Sequence, residues 1–488
     1  MVTRRFFIGG LTAAAVISAS RAMAQASDLT ELSIADASTL IRARRISPVE
    51  LLRAYLARIE LLEPKVNAYI TVTDDLALKQ ARDLERELDA GRWRGPMHGI
   101  PIALKDNMDT AGILTTAASA VLANRVPDED AECYRRLTEA GAVLLGKLNL
   151  HEFAYGGTSA ITHFKPVHNP WNLDHIPGGS SGGSAAAVSA RMCAAALGTD
   201  TLASIRMPSA YCGIVGLKAS HGLASIRGIV PLCEALDHVG PMTRTVGDAA
   251  LVLQAIAGYD AKDPVSIRAE LPAFASALNK SPADLRLGLP QSPYYERLDS
   301  DVDKAVKSAL DVLTNLTSGA REMTLPPHPN FPVLLAESIG YHKQFMTDPE
   351  KRGLYDPVTL ARLDAAAEFS AADYVNTHRE LLLARKSIAN AFKDVDLIVT
   401  PTTPGLPEQI ENAINPAEAS GGEPALRNTF AFNIYGIPTI SVPCGFSRSG
   451  LPIGIQISGP HLGEIPVLAL AHAYEQATEW HTRQPKIG

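Results

Sequence analysis

The amino-acid sequence predicts an α/β fold in which helices cover both faces of a β-sheet. Short apolar runs, typical of buried strands, alternate along the chain with segments whose apolar residues have helical spacing. No stretch rich in Gly, Ser or Pro divides the chain, so residues 28–485 are predicted to form a single domain. The predicted strands are Ile100–Leu104, Ala142–Gly146, Leu285–Leu289, Leu397–Thr400, Thr439–Val442 and Ile453–Ile457. The predicted helices include Glu129–Glu139, Ser184–Ala196, Asp248–Ala257 and Val302–Leu313.

The composition is that of an ordinary globular protein. Of the 488 residues, 46% are hydrophobic and 20% are charged. The net charge is -7, which gives no indication of a basic surface, so we expect no nucleic-acid partner. Beyond the N-terminal segment no apolar run reaches about 18 residues, so we expect no stable membrane span. The five cysteines form no C-x-x-C pair and match no zinc spacing, which indicates buried thiols and no metal site.

The N-terminus has the features of an export signal. Arg4 and Arg5 precede an apolar run that extends to Ile17, and Ala22-Met23-Ala24 forms an A-x-A cleavage pattern. We therefore expect residues 1–24 to be a signal peptide, and the paired arginines favour the twin-arginine route to the periplasm or the exterior. The alternative is a buried N-terminal helix.

Helical spacing dominates residues 28–91 and returns between residues 326 and 385. In the first segment, Ser47 and Glu50 form a capping box with Pro48 at the first helical position, so a helix is predicted to begin there. The second segment is predicted to be a lid-like insertion, with a plain packing subdomain as the alternative. Its large apolar side chains are Phe331, Leu334, Leu335, Tyr341, Phe345, Leu354 and Tyr355.

The sharpest local feature is the glycine-serine run at residues 178–184. Such a run is either a flexible linker or backbone arranged around a ligand, and the helical pattern that follows at once argues against a linker. The Lys-Ser/Thr ending of a phosphate-binding loop is absent. Gly178-x-Ser180-x-Gly182 also matches the nucleophile elbow of α/β-hydrolases. That motif needs a buried strand before it, and Pro170 and Pro177 argue against one.

Together with three other segments, this run resembles the amidase signature family. Ser204 follows Ser180 by 24 positions and lies in the segment 198–208, and Gly213-Ile214-Val215-Gly216-Leu217-Lys218 follows. Upstream, Gly99–Asn107 resembles the lysine motif of the family. Downstream, residues 432–438 and 450–456 fit as well. The resemblance extends from about residue 30 to residue 480.

The resemblance implies a Ser-cisSer-Lys triad and a twisted mixed sheet enclosed by helices. Ser204 corresponds to the nucleophile, Ser180 to the serine that follows a cis peptide bond, and Lys105 to the base. The implied reaction is hydrolysis of the C–N bond of an amide through an acyl-enzyme.

The chemistry of these residues agrees with that assignment. A serine hydroxyl becomes a good nucleophile only when a neighbouring base takes its proton, and a lysine acts as a base only when burial lowers its pKa. Lys105 follows an apolar strand, which suits burial, and Ser180 has both a donor and lone pairs for a proton relay. Taken singly, a lysine of this kind usually reaches solvent, and a serine in a glycine-rich turn usually bonds backbone.

Residues around the predicted nucleophile receive supporting roles. The backbone N–H groups of Thr201, Leu202, Ala203 and Ser204 are expected to form the oxyanion hole. Ser181 is expected to orient the triad, and Asp200 and Arg206 to form an ion pair that shapes the loop. Leu202-Ala203 replaces the Gly-Gly usual in the family, which alters the pocket close to the scissile bond.

Three functions compete at this stage. The first is an exported amidase that cleaves apolar aryl or alkyl amides, with carbamates (urethanes) or esters as further substrates. The alternative is a glutaminase or amidotransferase A-type subunit that acts on glutamine. The third is a binding protein that has lost its activity. Glutamine is expected to be a poor substrate because no cationic residue is clearly positioned to bind its carboxylate.

No cofactor is expected, because the triad supplies the nucleophile and the base. The histidines near the glycine-serine run lack the spacing of a metal-binding helix. The expected partner is a small-molecule amide substrate. No sequence feature assigns an oligomeric state.

Overall fold

A single mixed sheet of eleven strands organises the described part of the protein. The structure is a computed structural model, and it describes residues 29–330, 332–414 and 425–487. In chain order the strands are β1 (Tyr69–Val72), β2 (Pro101–Lys105), β3 (Val143–Leu148), β4 (Ala195–Thr199), β5 (Val215–Lys218), β6 (Val239–Thr243), β7 (Leu287–Pro290), β8 (Ala320–Met323), β9 (Leu397–Pro401), β10 (Thr439–Phe446) and β11 (Pro452–Ser458).

Helices flank this sheet. In chain order they are α1 (Ile34–Arg42), α2 (Pro48–Val66), α3 (Asp74–Asp89), α4 (Glu132–Glu139), α5 (Gly182–Ser189), α6 (Arg206–Cys212), α7 (Val246–Ile256), α8 (Ser300–Asn315), α9 (Pro332–Met346), α10 (Pro349–Arg352), α11 (Pro357–Ala366), α12 (Ala371–Ser387), α13 (Ile410–Ala413), α14 (Phe430–Ile434) and α15 (Glu464–Gln476). Short 3-10 turns lie at Ala120–Leu122, Glu152–Ala154, Phe274–Asn279, Ile388–Lys393 and Trp480–Thr482.

The strand order is β1-β3-β2-β4-β6-β5-β10-β11-β9-β7-β8. β2 runs parallel to both β3 and β4, whereas β4 and β6 are antiparallel. The predicted α/β class is therefore confirmed, as is the mixed sheet that the family resemblance implied. Lys105 ends β2 and Thr199 ends the neighbouring parallel strand, so the two side chains reach the same edge of the sheet.

The predicted strands are all present, with bounds that shift by up to four residues. One helix prediction was wrong at its end. The helix predicted over Ser184–Ala196 ends at Ser189, and β4 begins at Ala195. The error arose because the β4 sequence Ala-Ala-Leu-Gly-Thr is poor in β-branched residues, so it reads as a continuation of the helix. The sheet nevertheless buries every residue of that strand.

The helix predicted to begin after Ser47 is confirmed. The Ser47 hydroxyl accepts the Glu50 N–H at 3.1 Å, and the Glu50 carboxylate accepts the Ser47 N–H at 2.8 Å. These two bonds satisfy N–H groups that the first turn of a helix leaves without partners. The capped helix α2 then buries Leu51, Leu52 and Tyr55 in the core.

Residues 332–387 fold mainly as helices α9 to α12, and Phe331 lies outside the described residues. Leu334, Leu363 and Leu381 from these helices share one apolar cluster with Tyr355, which lies between α10 and α11. The predicted signal peptide at residues 1–24 also lies outside the described residues.

In the described ranges no helix has the length and apolar character needed to cross a bilayer. All five cysteines are buried and reduced.

Candidate active site

Lys105 is completely buried at the end of β2. Its Nζ lies 2.7 Å from Ser180 Oγ and 2.7 Å from Thr199 Oγ1. Both partners are hydroxyl groups, which can accept from an ammonium or donate to a neutral amine. Burial lowers the pKa of Lys105 to about 7, although the carboxylates of Asp237 and Asp200 act in the opposite direction. A large fraction of this lysine is therefore neutral at physiological pH.

Ser180 lies in the tight glycine-serine run that enters α5. The peptide bond between Gly179 and Ser180 is cis, as the family resemblance implied. Close packing explains at least one glycine in the run. A Cβ on Gly183 would lie 2.4 Å from the carbonyl oxygen of Asn149. The Ser180 carbonyl accepts the His151 N–H at 3.1 Å and the Ser159 hydroxyl at 3.1 Å, which anchors the turn.

Ser204 lies on the loop between β4 and α6, beside the glycine-serine run. The Ser181 N–H donates to the Ser204 carbonyl at 3.3 Å, so the structure brings the segments of Ser180 and Ser204 together. Ser204 is 8% exposed, whereas Ser180 and Lys105 have no exposed surface. Within the described residues, the N–H groups of Thr201, Leu202, Ala203 and Ser204 donate to no other residue. These four N–H groups are the ones predicted from the sequence to form the oxyanion hole.

Asp200 and Arg206 form a buried ion pair with an Nε–Oδ2 distance of 3.0 Å. The Arg206 guanidinium also donates to the Leu202 carbonyl at 3.2 Å and to the Thr429 carbonyl at 2.9 Å. Burial opposes ionisation of Asp200, but the charge and hydrogen bonds of Arg206 outweigh it and lower the pKa of Asp200. Arg206 thus ties the loop that carries Ser204 to Thr429, in the C-terminal part of the chain.

Ser181 contacts a neighbour of the lysine instead of the lysine itself. Its hydroxyl donates to the Thr199 carbonyl at 3.1 Å and accepts the Thr199 N–H at 3.3 Å. Thr199 in turn bonds to Lys105. Thr199 was not among the predicted site residues, although it lies within the segment that carried the family resemblance.

A cavity of about 320 Å³ opens at Ser204. Leu202 lines it, whereas Ala203 is fully buried and packs with Met207 and Tyr211. The two residues that replace the usual Gly-Gly therefore differ: Leu202 meets the cavity and Ala203 belongs to the core. The other apolar lining residues are Ala154, Leu232, Leu334, Leu335, Ala365 and Leu426.

Arg362 from α11 also lines this cavity. The cavity therefore contains a cation that the sequence pattern did not indicate. The guanidinium donates to the Tyr155 carbonyl, and burial lowers the pKa of Arg362. No sequence pattern pointed to this residue, because Arg362 lies in a helical segment without a motif and reaches the cavity only through the packing of α11.

Across the described ranges, no group of three or more His, Cys, Asp or Glu side chains has the geometry of a metal site. His151 is buried behind the glycine-serine run, where its Nδ1 lies 3.2 Å from the Thr158 hydroxyl. Burial, reinforced by the charges of Arg362 and Lys105, holds the pKa of His151 well below its usual range. This imidazole is therefore neutral.

Comparison with known proteins agrees with this geometry. The sequence model of the Amidase family matches residues 50–468. The A subunit of the glutamyl-tRNA(Gln) amidotransferase from Carboxydothermus hydrogenoformans is 39% identical over 489 residues, an alignment that covers 94% of this chain and all of the relative. The peptide amidase of Stenotrophomonas maltophilia has a TM-score of 0.81 at 32% identity, covering 93% of this chain and 98% of the other. A 6-aminohexanoate cyclic dimer hydrolase has a TM-score of 0.85 at 27% identity, covering 94% and 99%. This chain therefore belongs to the amidase signature family of C–N hydrolases.

Proposed function

We propose that this protein hydrolyses a carboxylic amide through an acyl-enzyme on Ser204. The observation that carries the proposal is the contact of a fully buried Lys105 with Ser180, on the segment that touches Ser204. A neutral amine at Lys105 can accept a proton, and the hydroxyl of Ser180 can relay one. A serine-lysine pair of this kind needs no histidine.

The reaction proceeds in two halves. Ser204 Oγ bonds to the amide carbon while its proton passes through Ser180 to Lys105. The carbonyl oxygen gains negative charge, and the N–H groups of residues 201–204 stabilise it. The C–N bond then breaks as the proton returns to the leaving nitrogen. Water attacks the resulting ester, which releases the acid and restores the Ser204 hydroxyl.

The first candidate substrate is a primary amide whose acyl half carries a carboxylate, with glutamine as the reference compound. Two observations support it over an apolar aryl amide. The relative from Carboxydothermus hydrogenoformans is named as the A subunit of a glutamyl-tRNA(Gln) amidotransferase. Arg362 supplies a cation within the cavity, and a guanidinium pairs well with a carboxylate. If this chain assembles as that relative does, it has a partner subunit.

The second candidate is a neutral aryl or alkyl amide, with carbamates or esters as further substrates. The observation that favours it is the apolar lining, in which five leucines surround one cation: Leu202, Leu232, Leu334, Leu335 and Leu426. Such a lining suits a substrate with a hydrocarbon chain. Among the described lining residues there is no carboxylate to pair with the α-ammonium group of glutamine. The monoamide of glutaric acid, which lacks that ammonium, should therefore be a better substrate than glutamine.

The test compares kcat/KM for glutamine, the monoamide of glutaric acid, a nitroanilide and an aryl carbamate. Arg362→Met should lower kcat/KM for the two carboxylate substrates by about 10- to 100-fold and leave the neutral substrates near their original values. The matched control is Arg352→Met. Arg352 forms an ion pair with Asp364, with an N–O distance of 2.8 Å, and neither residue lines the cavity. A nitroanilide preference that Arg362→Met leaves unchanged would favour the second candidate.

We also propose that the protein is exported, from the paired arginines and apolar run of the N-terminal segment. Changing Arg4 and Arg5 to lysine should retain the folded precursor inside the cell. Unimpaired secretion of that variant would argue against the twin-arginine route.

A further inference from the structure

Asp237 is a buried carboxylate next to the active site that the triad does not use. It is 3% exposed and lies on the loop that precedes β6. Its Oδ1 accepts the hydroxyl of Thr201, and its Oδ2 accepts the N–H groups of Leu232 at 3.0 Å and Cys233 at 3.1 Å. Thr201 and Leu232 both line the cavity at Ser204. One carboxylate therefore joins two walls of that cavity.

The backbone of the loop that carries Ser204 and the side chain of Thr201 are held by different residues. Arg206 binds Asp200 and the Leu202 carbonyl. Asp200 also pairs with His238, through backbone hydrogen bonds of 2.9 and 3.1 Å. The hydroxyl of Thr201 has one partner among the described residues, and that partner is Asp237. Loss of this bond would release the Thr201 side chain, whereas the backbone on either side of it stays held through Asp200 and Leu202.

Asp237 also acts on Lys105 through its charge. It is the carboxylate that most strongly opposes the effect of burial on the pKa of Lys105, followed by Asp200. Burial raises the pKa of Asp237 to about 6, against the hydrogen bonds from Thr201, Leu232 and Cys233. Asp237 is therefore mostly ionised at pH 7.

Other titratable groups lie near Asp237 and Lys105. Glu337 from α9 is a second carboxylate near Asp237 and contributes to its raised pKa. Asp200 is near Lys105 but is paired with Arg206. His151 is near Lys105 and is neutral, because burial holds its pKa well below the usual range. Asp237 is thus the ionised group near Lys105 that has no cation hydrogen-bonded to it in the described structure.

We propose that Asp237 is a positioning residue for amide hydrolysis, which fixes the Thr201 side chain in the nucleophile loop and sets a negative charge near Lys105. This inference rests on the proposed function, in which Ser204 is the nucleophile and Lys105 the base. Asp237 touches no reacting atom. It acts through the donor geometry of the oxyanion hole and through the proton affinity of the lysine.

The experiment measures the rate at which a fluorophosphonate labels Ser204, as a function of pH. In this reaction Ser204 Oγ bonds to phosphorus, fluoride leaves, and the proton passes to Lys105, so no natural substrate is needed. Asp237→Asn keeps the size of the side chain but removes the charge. It should lower the labelling rate on the alkaline plateau and move the acid limb about one pH unit lower, because Lys105 then loses its proton more easily.

Asp248→Asn is the matched control. Asp248 is 1% exposed, accepts the Ile34 N–H at 2.9 Å, and has a pKa raised by burial to about 6, but it lies on α7 away from the site. We expect its acid limb and plateau to match those of the unmodified protein. An acid limb for Asp237→Asn that coincides with that of Asp248→Asn overturns the electrostatic part of the proposal.

Thr201→Val tests the loop contact without a change in charge. It should lower the plateau labelling rate about tenfold and leave the acid limb unmoved, and Thr201→Ser should restore the rate. This variant also serves if Asp237→Asn does not fold, which thermal unfolding would reveal. Wild-type labelling of Thr201→Val overturns the positioning role. Labelling that persists in Ser204→Ala overturns the proposed function itself, so the two failures are distinguishable.

Discussion

Two buried lysines on neighbouring strands differ in their contacts, and the difference separates the proposed base from a lysine that is paired with a carboxylate. Lys105 on β2 and Lys147 on β3 have no exposed surface, and the strands that carry them are parallel neighbours. Within the described residues, Lys105 bonds only to the hydroxyls of Ser180 and Thr199. Lys147 bonds to the Met108 carbonyl and the Thr115 hydroxyl, and its Nζ lies 3.3 Å from Asp106 Oδ1.

Burial lowers the pKa of both lysines, but the contacts decide the outcome. For Lys147, the charge and hydrogen bond of Asp106 oppose the effect of burial. The ammonium and the carboxylate therefore stabilise each other as ions. Lys105 has no such contact in the described structure, and its pKa falls to about 7. Of these two lysines, the one whose immediate partners are uncharged has the pKa that a base requires.

The largest expected effect is the loss of catalysis on removal of the triad. Ser204→Ala and Lys105→Met should each lower kcat by roughly 10⁴-fold or more, and the double variant should be little worse because the groups act as a unit. Ser180→Ala should leave only a trace of activity. Steady-state kinetics with the best amide substrate measures these losses, and thermal unfolding confirms that each variant is folded. Near-normal turnover by Lys105→Met would remove the distinction between the two lysines.

Lys147→Met should affect stability instead of chemistry. The change leaves the Asp106 carboxylate buried without its cation, so the free energy of unfolding should fall by about 3–5 kcal/mol. Activity per folded molecule should remain near that of the unmodified protein. Denaturant unfolding measures the loss, and the added change Asp106→Asn should recover part of it. A stable but inactive Lys147→Met protein would contradict the comparison.

The acid limb of activity should report the ionisation of Lys105, to which the charge of Asp237 is coupled. Its neutral form is the active one, so kcat/KM should rise with pH through about 7 and level off above it. A profile that stays flat down to pH 5 would exclude a lysine base.

The ionisation of Lys105 should also make the free energy of unfolding depend on pH. Between pH 10.5 and about 7 the unfolded chain binds a proton at Lys105 that the folded chain does not. The stabilisation gained by Lys105→Met should therefore grow as the pH falls through this window and become constant below it. Denaturant unfolding at several pH values measures this difference. No growth across the window would mean that Lys105 stays protonated in the folded state.

The smallest expected effect is that of a metal chelator, which should be nil. The proposed reaction assigns the base and the oxyanion donors to the chain itself. Dialysis against a chelator should leave kcat/KM unchanged for both classes of substrate. A loss of activity that added zinc restores would overturn the proposed chemistry.

The two lysines also show which features of the site could be predicted from the sequence and which could not. Lys105 and Lys147 both follow short apolar runs, Ile100–Leu104 and Ala142–Gly146, so burial was predictable for each. Nothing in the local sequence shows that Asp106 pairs with Lys147 and not with Lys105. Only the family resemblance distinguished Lys105, because it related this residue to two serines 75 and 99 positions away.

The remaining site residues depend on packing between distant segments. Arg362 reaches the cavity from α11, and Asp237 reaches Thr201 across 36 positions. Neither residue lies in a pattern that local spacing can detect. The strand β4 was missed for a different reason, because neighbours in the sheet overrode the weak strand preference of its alanines.

The anchoring of Arg206 has a consequence for synthesis of the protein. Its guanidinium bonds to Gln456, which lies 250 residues later on β11, and to Thr429. A ribosome must therefore translate almost the whole chain before the loop that carries Ser204 has all of its contacts. A nascent chain that has exposed all three triad residues still lacks the far end of this anchor. We therefore expect its serine to gain reactivity only when the last strand has emerged.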